Sequence, residues 1–169
     1  VVILDALDPE EETEIADMLY TDKDFLGALY DSMSDDGVMV IQVGTAPSIL
    51  DPRPDLGVYS RRETMFRMIE DHPSTKAMFV YEEGHCGFLE PHSFLVVCKS
   101  ESCRTPWYAE SDAIDFAIHE RMRWTESGEP ILRHFDGSTQ RSYQVPPRAW
   151  ETVYCRREPE PFECAYRGL

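Results

Sequence analysis

The sequence lacks the features that would place it in a membrane, disulfide-rich or zinc-binding class. Its five cysteines include no CxxC pair, so neither a disulfide framework nor a structural zinc site is indicated. No apolar run is long enough to cross a bilayer. The first residues also lack the basic stretch, apolar segment and cleavage site that would predict a signal peptide. We therefore expect an intracellular protein in a reducing compartment, either the cytosol or an organelle interior.

Basic residues are scarce relative to acidic ones. The 16 lysines and arginines stand against 32 aspartates and glutamates, which gives a formal net charge of −16. A surface this acidic repels phosphate backbones and anionic membrane faces, so no nucleic-acid partner is expected. It would attract a cationic ligand such as a polyamine, although solubility is the simpler explanation of the same charge.

The opening residues predict a strand buried on both faces. Residues 1–4 read Val-Val-Ile-Leu, with no initiating Met before them. From this we expect the sequence to start inside a longer polypeptide. A strand edge left open between Val1 and Asp5 should then be covered by the missing N-terminal half or by a partner protein.

The order of the elements predicts an α/β fold. After the opening strand, apolar runs predict strands at 38–43, 78–81 and 94–98. The strands separated by helices should be parallel, and the last two, joined by a short connection from Glu82 to Ser93, should be antiparallel neighbours. We interpret this order as the C-terminal half of a Rossmann-like, methyltransferase-type sheet.

Three helices are predicted between these strands. The first should begin with Asp8 as N-cap and Pro9 at the first helical position, and the third with a capping box of Ser60 and Glu63. The positions that we expect to be buried are Ile15, Met18 and Leu19 in the first helix, Phe25, Leu26, Leu29 and Met33 in the second, and Met65, Phe66 and Ile69 in the third.

The sequence after Lys99 predicts a small helical C-terminal cap. Ile114, Ile118 and Met122 mark an amphipathic helix, and residues 143–145 predict a short extended piece. We therefore divide the chain into a half-domain at 1–99, a cap at 100–157 and a tail at 158–169.

Several segments resemble the spermidine synthase (polyamine aminopropyltransferase) family. Residues 5–9 read Asp-Ala-Leu-Asp-Pro, which is similar to the family's Asp-x-x-Asp-Pro signature and likewise follows a strand. The segments 19–20, 36–37, 42–44, 94–99 and 132–146 resemble later parts of the family in the same order. The resemblance implies transfer of an aminopropyl group from decarboxylated S-adenosylmethionine to a polyamine.

Aminopropyl transfer needs carboxylates at the reacting amine. An alkylammonium has a pKa of about 10 and must lose a proton before it can attack a carbon. The resemblance implies that Asp5 is the base, that Asp8 and Gln42 bind the amine, and that Asp5 and Leu19 contact the cofactor. On spacing alone, Asp8 is better explained as a helix N-cap and Asp5 as a polar residue at the end of a strand.

Some segments differ from the family pattern. The glycine-rich turn that holds the nucleoside would lie in the missing half, and an acidic run at 10–17 stands where the family has a short Gly-Pro-Ala loop. Between the last two strands, the family's Pro-Thr-Tyr-Pro-like loop is replaced by a segment containing Glu82 and Phe88. These two side chains could form an acidic, aromatic amine pocket, or the segment is a solvated hairpin tip.

The histidines and cysteines of this segment do not have the spacing of metal ligands. His85 and Cys86 are adjacent, and no second spaced pair accompanies them and His92, so no metal site is predicted.

Three functions of the intact protein are compatible with the sequence. The first is a catalytic aminopropyltransferase, and the second is a non-catalytic subunit docked on a larger complex, for example in an organelle. The third is an S-adenosylmethionine-dependent methyltransferase, which the paired carboxylates disfavour. The segment from Val1 onward should be inactive alone, because the nucleoside-binding half is absent.

Overall fold

The chain folds as an α/β arrangement around an open mixed sheet. A computed structural model describes residues 1–46, 60–84, 87, 89–129, 131–132 and 134–144. The strands are β1 (Val2–Leu4), β2 (Val38–Thr45), β3 (Ala77–Glu83) and β4 (His92–Cys98), in the order β1-β2-β4-β3. β1 and β2 are parallel, and β4 lies antiparallel between β2 and β3.

The predicted strand directions are confirmed. The first pair is parallel, the last pair is antiparallel, and β3 runs in the same direction as β1 and β2. The last two strands are longer than predicted, because the ladder of β3 continues through Glu82 and Glu83, which pair with Ser93 and His92. The prediction that Glu82 belongs to the connection was therefore wrong.

Helices lie between and after the strands. In the described parts of the chain they are α1 (Glu14–Thr21), α2 (Lys23–Ser32), α3 (Ser60–Asp71), α4 (Arg104–Trp107), α5 (Ser111–Arg121) and α6 (Gly137–Tyr143). None of these is both long and apolar enough to span a membrane.

Helix α1 begins later than the sequence predicts. The cap is Thr13, whose Oγ1 accepts a hydrogen bond from the amide of Ala16 at 3.1 Å. Ala16 and Tyr20 face the core, whereas Ile15 and Met18 are 57% and 44% exposed. The prediction was wrong for Ile15 and Met18, whereas Leu19, the third predicted position, is half-buried and packs against the main core.

The main core lies between one face of the sheet and helices α1–α3. The burial predicted for Met65, Phe66 and Ile69 in α3 is confirmed. Of the positions predicted for α2, Leu26 is buried, and so is Met33, which caps the end of the helix. Tyr30, which the periodicity did not select, is buried as well, because its ring stacks on His72 at 3.8 Å and its hydroxyl meets Thr75. The core residues are Ala16, Tyr20, Leu26, Tyr30, Met33, Met39, Ile41, Val43, Ala46, Met65, Phe66, Ile69, Leu95 and Val97.

A smaller core lies on the opposite face, over β3 and β4. The ring of Phe79 stacks on Trp107 at 4.7 Å between centroids, next to Tyr108. A disulfide joins Cys98 at the end of β4 to Cys103 in a short 3₁₀ turn. The cysteine spacing did not predict this disulfide. The disulfide links the start of the helical cap to the end of strand β4.

The helical character of the predicted cap holds for its described part. Tyr143 is the last residue of α6, so the prediction of an extended piece there was wrong. The predicted tail and the later part of the cap lie outside the described residues.

The first strand forms one edge of the sheet. β1 pairs with β2 alone among the described strands. Val1 and Ile3 are 92% and 73% exposed, although both are large apolar side chains. The apolar opening of the chain is therefore a strand, as predicted, but it is not buried on both faces.

Candidate functional site

The two carboxylates of the family-like signature lie at the carboxyl ends of β1 and β2. Asp5 follows β1 directly, one position past the pair that Leu4 makes with Ile41, and so it is level with Gln42. Parallel strands bring such residues together at their carboxyl ends, where α/β folds commonly bind ligands. We call Asp5, Asp8 and Gln42 the carboxylate site.

Asp8 lies in a turn and does not cap helix α1. Its Oδ1 accepts a hydrogen bond from the amide of Glu10 at 3.0 Å, and its carbonyl accepts one from the amide of Glu11 at 3.1 Å. The prediction of an N-cap was wrong, because a hydrogen-bonding aspartate before proline stabilises a turn as readily as a helix start. The half-buried Asp8 carboxylate is held on the sheet side of this turn.

Gly44 allows Asp8 to approach the end of β2. Its φ is +86°, a conformation that favours glycine, and a Cβ placed there would lie 3.1 Å from Oδ2 and 3.2 Å from Oδ1 of Asp8. The residue that closes the strand therefore leaves room for the carboxylate.

Tyr20 connects the two strand ends. Its buried hydroxyl donates a hydrogen bond to the carbonyl of Leu7 and lies 3.4 Å from the carbonyl of Gln42. Burial and, after it, the negative charges of Asp8 and Asp5 together raise the pKa of this hydroxyl to about 12. Both carboxylates therefore raise the pKa of the same hydroxyl.

Gln42 has an unused hydrogen-bond acceptor. The residue is 8% exposed, and within the described part of the chain its Oε1 has no hydrogen-bond partner. Buried polar atoms are nearly always paired, with protein or with a bound molecule. Oε1 of Gln42 is therefore available to accept a hydrogen bond from a donor such as an ammonium group.

Aromatic rings continue the row that starts at Asp5. The register aligns Gln42 with Phe94 and Phe94 with Tyr81, so their side chains share one face of the sheet. The ring of Tyr81 lies 5.2 Å from Phe94 and 4.6 Å from Tyr143. Together these rings form an apolar wall beside the carboxylate site.

The carboxylate of Glu83 lies next to this aromatic wall. It accepts a hydrogen bond from the hydroxyl of Tyr143. Burial raises the pKa of Tyr81, as do the charges of Glu83 and then of Asp5. The pKa of Tyr81 therefore depends on carboxylates that are distant from each other in the sequence.

The remaining predicted site residues are Glu82, Leu19 and Phe88. Glu82 pairs with Ser93 in the ladder, which puts its side chain on the face opposite to Gln42. Leu19 is half-buried and packs against the main core. Phe88 lies outside the described residues, as do His85 and Cys86.

Four residues of the site were not predicted from the sequence: Tyr20, Tyr81, Tyr143 and Glu83. Tyr20 stands in the family-like pair at 19–20, and Tyr81 and Glu83 flank the predicted Glu82. Strand alternation carried through to residue 83 would have selected Tyr81 and Glu83 together. Tyr143 had no local signal, because it reaches the site from a helix 60 residues further along the chain.

The site is suited to a cationic amine. Carboxylates and an amide oxygen accept N–H donors, and aromatic faces attract an ammonium group. In the parts of the chain that the structure describes, no group of three or more histidine, cysteine, aspartate or glutamate side chains is arranged to hold a metal ion.

Comparison with protein-family models and with curated proteins finds no match to this chain.

Proposed function

We propose that the intact protein is an aminopropyltransferase-like enzyme that acts on a polyamine. The observation that carries this proposal is that Asp5, Asp8 and Gln42 lie at the carboxyl ends of β1 and β2, and that Oε1 of Gln42 has no hydrogen-bond partner among the described residues. The order of family-like segments along the sequence supports it independently.

In the proposed reaction, the polyamine nitrogen attacks a carbon next to the sulfonium of decarboxylated S-adenosylmethionine. The new carbon–nitrogen bond forms as the carbon–sulfur bond breaks, and the thioether leaves. Asp5, which is exposed at the strand end, first takes a proton from the polyamine ammonium, and the free amine that results is the nucleophile. Asp8 and Gln42 hold the amine in line, and Leu19 and Asp5 are proposed to contact the donor.

We further propose that the described sheet is the C-terminal half of a Rossmann-like domain at 1–99, followed by the cap at 100–157. The parallel β1–β2 pair, with the antiparallel β3–β4 pair later in the sequence, supports this assignment. An N-terminal half would add a strand to β1 and cover Ile3, which is apolar and exposed. We place the protein in an intracellular compartment.

The exposed outer edge of strand β1 also favours a second candidate, a non-catalytic subunit of a larger complex. A partner protein could cover β1 in place of an N-terminal half. Gel filtration of the intact protein separates the two candidates. Stoichiometric co-purification with a partner, without amine turnover, supports the subunit, whereas a monomer with turnover excludes it.

Substitution of Asp5 tests the enzymatic proposal. We expect Asp5→Asn in the intact protein to lower product formation by about 10²- to 10⁴-fold, because the base is lost while the shape is kept. The measurement is mass spectrometry of polyamine products formed from labelled decarboxylated S-adenosylmethionine. Asp17→Asn, which changes an exposed carboxylate paired with Arg61, is the control and should retain activity.

Two results would count against this assignment. Equal product from wild type and Asp5→Asn removes Asp5 from the mechanism. A methylated product formed from S-adenosylmethionine, with no aminopropyl transfer, assigns the protein to the methyltransferases instead.

A further inference from the structure

The acidic run at 10–17 makes defined contacts with the first turn of helix α3. Oε1 of Glu10 accepts a hydrogen bond from the amide of Arg62 at 3.1 Å. Asp17 pairs with Arg61, with 2.6 Å between Oδ1 and Nε. The first amides of a helix have no partner within the helix, and a carboxylate there is also favoured by the helix dipole. Two acidic residues thus tie the segment after β1 to α3.

Of these two contacts, only that of Glu10 is connected by hydrogen bonds to the carboxylate site. The amide of Glu10 donates to Oδ1 of Asp8 at 3.0 Å, while its side chain binds the amide of Arg62. Arg62 is 2% exposed, and its Nη1 donates to the carbonyl of Thr45 at 3.1 Å. Thr45 follows Gly44, the residue against which the Asp8 carboxylate lies. The contacts therefore form a closed circuit of five residues.

We propose that Glu10 is a positioning residue for Asp8, an inference that rests on the proposed function of the carboxylate site. Both groups of Glu10 are used: the amide orients the Asp8 carboxylate, and the carboxylate anchors the turn to α3. The orientation of Asp8 toward an amine then depends on a helix that begins 52 positions later in the sequence than Asp8. The acidic run does not act as a solvated stretch of charge at this position.

Asp17 provides a matched contact for comparison. It also joins the segment after β1 to the first turn of α3, but through an ion pair whose Asp17 side chain is 57% exposed. None of the hydrogen bonds or ion pairs described for Asp17 involves Asp8. If Glu10 served only to dock the two elements, its loss and that of Asp17 should affect the site alike.

The experiment measures spermidine binding to the intact protein by isothermal titration calorimetry, with folding checked by circular dichroism. Glu10→Ala should raise the Kd by about three- to tenfold, the range expected for one lost hydrogen bond. Glu10→Gln, whose amide oxygen still accepts the bond from Arg62, should recover most of that affinity. Asp17→Ala should stay within about twofold of the wild type.

The outcomes separate this inference from the function on which it rests. If Asp8→Asn weakens binding but Glu10→Ala does not, the positioning role is overturned and the amine site stands. If Glu10→Ala and Asp17→Ala weaken binding equally, the effect belongs to docking of the elements, and the positioning role is again overturned. If Asp8→Asn leaves the Kd unchanged, or the wild type does not bind spermidine, the amine site itself fails.

Discussion

At the scale of single residues, the carboxylate site depends on close approaches between backbone and side chain. Asp8 reaches the end of β2 only because Gly44 has no side chain, and Tyr20 fills the space between the two strand ends with a hydrogen-bonded ring. Arg62 is buried, with its guanidinium bound to a strand carbonyl.

Gly44→Ala should destabilise the protein by about 1–2 kcal/mol, the usual cost of a left-handed conformation for a residue with a Cβ. The contact of the new methyl group with Asp8 should also weaken spermidine binding. Gly27→Ala is the matched control: no atom lies within 4 Å of its would-be Cβ, and it stands inside α2, so it should be neutral or stabilising. Urea denaturation measures both; equal effects of the two substitutions would contradict this account.

The sequence identified part of this site. Asp5 could be predicted because it directly follows a strand, and Gln42 because it lies near the carboxyl end of the next one; both strands are visible as local apolar runs. The turn at Asp8 could not, since the same residues fit a helix start, and the choice depends on Gly44 and α3 far along the chain. Tyr143 was missed for the same reason.

At the scale of elements, the helices are fixed by contacts at their ends as much as by their apolar faces. Thr13 starts α1, a distant glutamate caps α3, and a disulfide fixes the turn that precedes α4. Periodicity predicted α3 well because three large apolar side chains define its face. It failed for α1, where an alanine and a tyrosine are the buried residues.

Cys103→Ser should lower the free energy of unfolding by about 2 kcal/mol, because the bridge to Cys98 closes a short loop in the unfolded chain. Guanidinium denaturation without reductant should show this difference. With a reducing agent present, the wild type should lose its advantage and the two curves should coincide. A difference that persists under reducing conditions would instead assign the effect to lost packing of Cys103 against the smaller core.

At the scale of the whole molecule, the sheet is covered unevenly. Helices α1–α3 pack against one face, whereas the opposite face has a smaller apolar layer over β3 and β4 and an exposed Ile3 in β1. The order of the strands could be predicted only in part, because the position of β4 between β2 and β3 involves residues distant in sequence. The uneven cover is the basis for proposing an N-terminal half.

Ile3→Lys tests that proposal. If further structure covers β1 in the intact protein, a buried lysine should lower the free energy of unfolding by at least about 2 kcal/mol. Ile15→Lys on the outer side of α1 is the control and should change it by less than about 0.5 kcal/mol. The measurement is thermal or urea unfolding of the intact protein. Equal, small effects would mean that the β1 edge faces water.

The circuit at Asp8 also has an evolutionary consequence. Each member is useful to the others, so a loss of Glu10 would relax selection on Arg62, and a side chain at Gly44 would displace Asp8. Proteins that descend from a common ancestor with this site should therefore inherit Asp8, Glu10, Gly44 and Arg62 together, whereas Thr45 takes part only through its backbone carbonyl. They form a sequence fingerprint by which distant homologues can be recognised even where the rest of the chain has diverged.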